Sequence, residues 1–153
     1  MRLFGFLMSI ALVATLFSCE HPDQTSNKKY PPLESLTDTR WYSVDTKRQI
    51  YYDIDYAETM GLMVGYSNSL REEEVSRRGF TYTFTPANEK VDGIVSVVFE
   101  DGQRYGGMLI PKGQFQVNNN DVYWIQLYEV DDEGYIIYDD NGQIKSSILM
   151  WKE

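Results

Sequence analysis

Few side chains in this 153-residue chain have the type and spacing for chemistry, and the first of them is Cys19, its only cysteine. It closes Leu16-Phe17-Ser18-Cys19 at the end of an apolar run, so its thiol is the one soft nucleophile available. Asp53 and Asp55 stand two apart, the spacing that puts two carboxylates on one face of a strand, as acid–base catalysis would need. They share the polar face opposite Ile54, where solvated carboxylates are the expected reading. Asp131-Asp132-Glu133-Gly134 and Asp139-Asp140-Asn141-Gly142 offer oxygen ligands of the kind calcium takes. Neither has the spacing of a calcium loop, and Asp and Gly are ordinary turn residues. No metal or cofactor is expected. The single histidine, His21, lies two residues from Cys19, and no Gly-x-Ser-x-Gly or phosphate-cradling glycine pattern occurs. The inventory points away from an enzyme.

The segment that positions Cys19 begins with one positive charge, Arg2, and then runs apolar over 3–17. A charged start and a short apolar stretch make a secretory signal, and fifteen residues fall short of the roughly 20 that span a bilayer as a helix. Leu16-Phe17-Ser18-Cys19 resembles the lipoprotein box of bacterial envelope proteins, although Phe17 is bulkier than the commonest residue at its place. The resemblance implies cleavage before Cys19, acyl chains on Cys19, and a membrane-anchored protein of a Gram-negative envelope, most commonly on the outer membrane. Two or more acyl chains hold stably where one holds weakly, each buried CH₂ contributing about 0.8 kcal/mol. The expected division is a signal peptide at 1–18, a lipidated N-terminus and tether at 19–36, and a domain at 37–153. The tether, Pro-bearing and without period, reads as flexible chain.

Charge narrows the partners. The whole chain carries −9; removal of Arg2 leaves 13 basic against 23 acidic side chains, or −10. Nucleic acid, which selects clustered Lys and Arg, is excluded as a partner. Electrostatic docking on anionic lipid is excluded likewise, so acyl chains must supply the membrane attachment. With the only cysteine committed to the anchor, the domain has no disulfide and must be stabilised by packing.

Side-chain alternation dominates from residue 39 onward. Ile50, Tyr52, Ile54 and Tyr56 alternate with polar residues over 49–56, and Phe80, Tyr82 and Phe84 alternate with threonines over 79–85. Strand patterns also cover 39–45, 61–67, 92–100, 103–110, 114–118, 121–130, 134–138 and 143–151. Turn chemistry separates them at Asp101-Gly102, Pro111-Lys112-Gly113, Asn118-Asn119-Asn120 and the two acidic turns. Residues 69–78 interrupt the pattern: Ser69-Leu70-Arg71-Glu72 fits a helix-capping box, and a charged loop fits equally well. The prediction is an all-β antiparallel meander of about eight to ten strands closing into a small up-and-down barrel, with a Greek-key sandwich as the alternative.

The aromatic residues carry the functional expectation. Trp41, Tyr82, Phe84, Phe99, Trp124 and Tyr128 are the candidates to line the interior, Trp124 and Tyr128 sharing a strand face with Val122 and Val130. On that assignment Tyr123, Ile125 and Leu127 face outward. Gly106-Gly107 marks a bulge or sharp bend.

Thr39-Arg40-Trp41-Tyr42 followed by a run of hairpins is similar to the small lipocalin-like barrels carried by bacterial lipoproteins. In that family a Trp of the first strand plugs one barrel end, which here implies Trp41; the glycine usual two residues earlier is Thr39. The resemblance implies a calycin-type barrel with room for an apolar cavity. The expected function is a non-enzymatic, lipid-anchored envelope lipoprotein that binds a small apolar or amphipathic ligand inside its barrel. The alternative is a protein-interaction module, an accessory lipoprotein or envelope inhibitor, with a solid core and an envelope protein as partner.

Overall fold

Eight strands close into one barrel in which every neighbour in sequence is a neighbour in the sheet. The structure is a computed structural model and describes residues 30–88 and 92–153. The signal segment, Cys19 and His21 lie outside the described residues. The strands are β1 Thr39–Asp45, β2 Ile50–Tyr56, β3 Met60–Tyr66, β4 Glu74–Thr85, β5 Gly93–Phe99, β6 Arg104–Val117, β7 Asn120–Val130 and β8 Ser147–Lys152. All pairings are antiparallel, and β1 closes on β8 through the pair Tyr42↔Trp151. The meander is as predicted, and no Greek-key crossing occurs.

Strands joined by local turns pair with their neighbours in sequence, and the turns are built from the residues that mark them. Three hairpin loops share one construction. Phe99 N–H reaches Gln103 O (2.9 Å), Asp131 N–H reaches Tyr135 O (2.9 Å) and Asp139 N–H reaches Gln143 O (2.7 Å). Each ends its loop on a glycine with positive φ: Gly102 at 87°, Gly134 at 89° and Gly142 at 75°. That is a three-residue loop with glycine at its left-handed position. The β6–β7 turn instead uses Asn118 (φ 51°) and Asn119 (φ 66°), the two-residue form that asparagine tolerates.

Three expectations change. Residues 69–78 form no helix: Arg71 adopts φ 61°, and β4 already begins at Glu74. Its charged residues fit a strand because Arg77 pairs with Glu74 outside (2.8 Å), while the Arg78 guanidinium lies 3.9 Å over the Phe99 ring. Segments 103–110 and 114–118 are one strand, since Pro111-Lys112-Gly113 is a bulge between the pairs Ile110↔Trp124 and Phe115↔Val122. Residues 134–138 make only isolated bridges, Val130↔Ile136 and Tyr138↔Ile144, within a long excursion over 131–146. Ten candidate strands thus become eight.

The interior is apolar. Trp41, Ile54, Phe80, Val95, Ile125 and Leu127 are each at most 4% exposed, and full burial of such side chains is worth about 1.5–3 kcal/mol apiece. An apolar, filled interior is the reverse of a membrane-spanning barrel, whose interior is polar. The meander gives the barrel two unlike ends. One carries the β1–β2, β3–β4, β5–β6 and β7–β8 connections. The other carries β2–β3, β4–β5, the β6–β7 hairpin and the leader into β1.

That second end is plugged. Trp41 is fully buried, and its indole N–H donates to Thr39 Oγ1 (2.9 Å). Thr39 Oγ1 in turn donates to Leu36 O (2.5 Å). Leu36 and Leu33 pack into the same cluster. The last residues of the expected tether are therefore bound to the barrel. Tyr30 donates to Asp121 Oδ2 (2.7 Å) and Tyr123 donates to Pro31 O (2.8 Å), so the chain from residue 30 lies along the β6–β7 hairpin.

Candidate functional site

The inward aromatics form a continuous edge-to-face column. Tyr82 meets Tyr56 at 4.8 Å, Tyr56 meets Phe80 at 5.3 Å, Phe80 meets Phe99 at 5.6 Å and Phe99 meets Tyr105 at 5.7 Å, all with steeply inclined planes. This is the geometry in which ring edges and faces attract. Burial pushes the Tyr56 phenol well above its ordinary range, and pushes the Tyr105 phenol up despite its bond with Ser146. Tyr82 satisfies its hydroxyl on Ala57 O (2.6 Å).

The column leaves little space. One void of about 10 Å³, lined by Ile54, Phe80, Val97, Leu127 and Met150 among others, lies within it. That is about one water's worth of space with apolar walls, a site that stays dry. Gly61 shows how tightly the interior is filled: a Cβ there would stand 2.1 Å from the Phe80 ring and 2.6 Å from Asp55 O. The larger recess, about 650 Å³, is an open groove beside Asp38, Thr39 and the β2–β3 turn, along which Arg40 and Asp55 pair at 2.6 Å.

Of the six candidate lining residues, Trp41, Tyr82, Phe84 and Phe99 belong to or pack against the core. Trp124 and Tyr128 do not. The pairings Leu109↔Ile125, Gly107↔Leu127 and Tyr105↔Glu129 turn the odd residues of β7 inward. Ile125 and Leu127 are fully buried, so the face assignment for β7 is reversed. Its two faces are almost equally apolar, and alternation alone has no polarity there. Trp124 instead stacks with Phe115 (5.3 Å, 28°) and with Trp151 (6.2 Å, 22°), and Trp151 meets Tyr42 at 6.5 Å. Tyr128 accepts a hydrogen bond from Gln126 on the same outer face. Gly107 is explained by β7 too: a Cβ there would lie 1.8 Å from Gln126 O, so β6 approaches β7 too closely for any side chain.

The charged candidates have structural partners. Asp53 holds Arg71 (2.6 Å) and Asp55 holds Arg40 (2.6 Å), one ion pair each rather than a shared proton. Asp131 Oδ1 accepts Glu133 N–H (3.0 Å) and Tyr135 N–H (2.8 Å), and Asp139 Oδ1 accepts Asn141 N–H (2.8 Å) and Gln143 N–H (2.9 Å). These carboxylates shape their turns. Among the described residues no group of three His, Cys, Asp or Glu side chains is placed to hold a metal. The residue that sequence reasoning missed is Glu129. It points inward at 5% exposure, and Lys145 from the 131–146 excursion reaches Oε1 at 3.0 Å. Glu129 Oε2 has no partner among the described residues. Glu129 sits at the barrel end opposite the Trp41 plug, where Tyr105 and Ser146 share a hydrogen bond (2.9 Å).

Comparison with protein-family models, with curated proteins and with solved structures gave no match. What stands is the architecture, an eight-stranded up-and-down barrel compatible with a lipocalin-like one.

Proposed function

We propose that this protein is a lipid-anchored envelope lipoprotein, without enzymatic activity, that acts by presenting the surface of a solid barrel to an envelope protein. The observation that carries the reading is the filled interior: a void of about 10 Å³ is far below the roughly 300–1,000 Å³ of small-molecule pockets. An apolar ligand inside, which the inward aromatics first invite, would have to displace packed side chains. The anchor rests on Leu16-Phe17-Ser18-Cys19 and the apolar run before it.

The surface best suited to a partner is the excursion over 131–146. It combines acidic side chains at Asp131, Asp132, Glu133, Asp139 and Asp140 with Tyr135 and Tyr138, 73% and 58% exposed. Exposed aromatics rimmed by charge are typical of recognition surfaces. A basic partner face is the complement.

The test is photo-crosslinking in intact cells from a reactive group at position 138, with the mass of Cys19 measured in the same preparation. One stoichiometric adduct, lost when Glu133 and Asp140, whose carboxylates cap no turn, become lysine, is the expected result. An adduct that survives the charge reversal removes the electrostatic component, and absence of any adduct overturns the interaction reading. An unmodified Cys19 overturns the anchor.

A further inference from the structure

The outer surface of the barrel divides by charge. On β1–β4 it carries the pairs Arg40–Asp55, Arg71–Asp53 and Arg77–Glu74. On β5–β8 the pairings place Ile94, Met108, Gln126 and Leu149 in one row and Ile110, Trp124 and Trp151 in the next. No outward side chain of those four strands, all within the described residues, is a carboxylate, in a chain with 23 of them. Of the cations on β6, Arg104 is held by Asp132 at 3.0 Å, and Lys112 in the bulge lies over the Tyr30 and Tyr123 rings at 5.2 and 5.7 Å. Met108 and Ile94 are each 48% exposed, Phe115 43% and Leu149 40%, so the surface is open as well as uncharged. Stacked Trp and Phe side by side with aliphatic residues match the headgroup–acyl boundary of a bilayer, where amphipathic rings concentrate.

The chain's own path points the same way. Tyr30 and Pro31 are fastened to Asp121 and Tyr123 of the β6–β7 hairpin, whose outer side bears Phe115 and Trp124. Only ten residues lie between Cys19 and Tyr30, and the eleven steps between them span at most about 40 Å of extended chain. An anchor at Cys19 therefore keeps this hairpin within about 40 Å of the membrane.

We infer that the uncharged face of β5–β8, centred on Phe115, Trp124, Trp151, Met108 and Leu149, rests on a zwitterionic lipid surface. The inference rests on the lipid anchor proposed above and adds an orientation to it. Of that face, the Trp41-plugged end with the hairpin lies nearest the anchor, and the acidic excursion lies at the far end. A surface without carboxylates avoids both repulsion from anionic headgroups and the cost of desolvating charge. The acyl chains supply the affinity, and the aromatic face sets the posture.

The full-length protein, produced with its own N-terminus, is reconstituted into phosphatidylcholine vesicles with plain or brominated acyl chains, and tryptophan emission is read. The chain has three tryptophans, and Trp41 is sealed in the core. Brominated lipid is expected to lower the emission of the wild type about two-fold, with little quenching left in W124F/W151F. Leu149→Asp, which adds a carboxylate to the face without touching either indole, is expected to weaken the quenching and covers the case of a poorly folded double variant. Protein that floats with the vesicles and carries acyl chains on Cys19, yet is quenched no more than W124F/W151F, overturns the inference and leaves the anchor standing. Protein without acyl chains that fails to float overturns both. Indoles shielded from aqueous acrylamide but untouched by bromine assign the face to a second copy or a protein, which also overturns it.

Discussion

The barrel contains two aromatic assemblies made from the same kinds of residue and built on different geometry. Inside, Tyr82, Tyr56, Phe80, Phe99 and Tyr105 meet edge to face, and four of the five are at most 4% exposed. Outside, Phe115, Trp124 and Trp151 lie nearly parallel, with planes 22–28° apart, and Phe115 is 43% exposed. Edge-to-face contacts fill volume in three dimensions, whereas a stacked row covers a flat sheet. The first arrangement serves stability. The second leaves ring faces and apolar neighbours free to meet something else.

That contrast can be broken most directly at Phe80. Phe80→Ala is expected to cost about 3–5 kcal/mol, because a large ring is lost from a packed interior, and denaturant unfolding measures it. Next in size is Gly61→Ala. The added methyl meets both the Phe80 ring and a backbone oxygen, for an expected loss of about 1–3 kcal/mol. In the outer row, Trp124→Ala is expected to lose only about 0.5–1.5 kcal/mol of stacking, since its neighbours stay partly solvated. A loss equal to that of Phe80→Ala would erase the distinction between the two assemblies.

The smallest effect at neutral pH is expected from Tyr56→Phe, whose hydroxyl among the described residues meets Met150 Sδ at 3.4 Å. Its signature is alkaline. Burial raises the folded Tyr56 pKa above the unfolded value of about 10, so the neutral phenol contributes its full stability below that pH and loses it as pH rises toward the folded value. Tyr105 is shifted the same way. Unfolding midpoints followed through the alkaline range should fall less steeply in Tyr56→Phe than in the wild type. An identical slope would remove Tyr56 from the set of linked groups.

Much of this architecture was legible because several strands have one polar and one apolar face. Ile50-Tyr51-Tyr52-Asp53-Ile54-Asp55-Tyr56 and Phe80-Thr81-Tyr82-Thr83-Phe84 announce their inward side, and the glycine-closed acidic loops announce their turns. β7 does not, because Val122, Trp124, Tyr128 and Val130 alternate with Tyr123, Ile125, Leu127 and Glu129. The polar residues beyond its first two mislead: Gln126 faces out beside the tryptophans, and Glu129 faces in. Only pairing with Leu109 and Met150 on its neighbours decides the matter. The outer aromatic row was hidden for the same reason, since Tyr42, Trp124 and Trp151 come from three strands far apart in sequence. Charged residues 71–78 read as a loop because nothing local shows that Arg78 lies across Phe99.

The pair Tyr42↔Trp151 joins the first strand to the last. A ribosome delivers the chain from its N-terminus, so the ring stays an unfastened ribbon until β8, the final strand, has arrived. Its clasp is then the outer tilted contact of Tyr42 with Trp151. A chain shortened by even its last few residues would lack that clasp, leaving β1 and what remains of β8 as raw edges available to other strands.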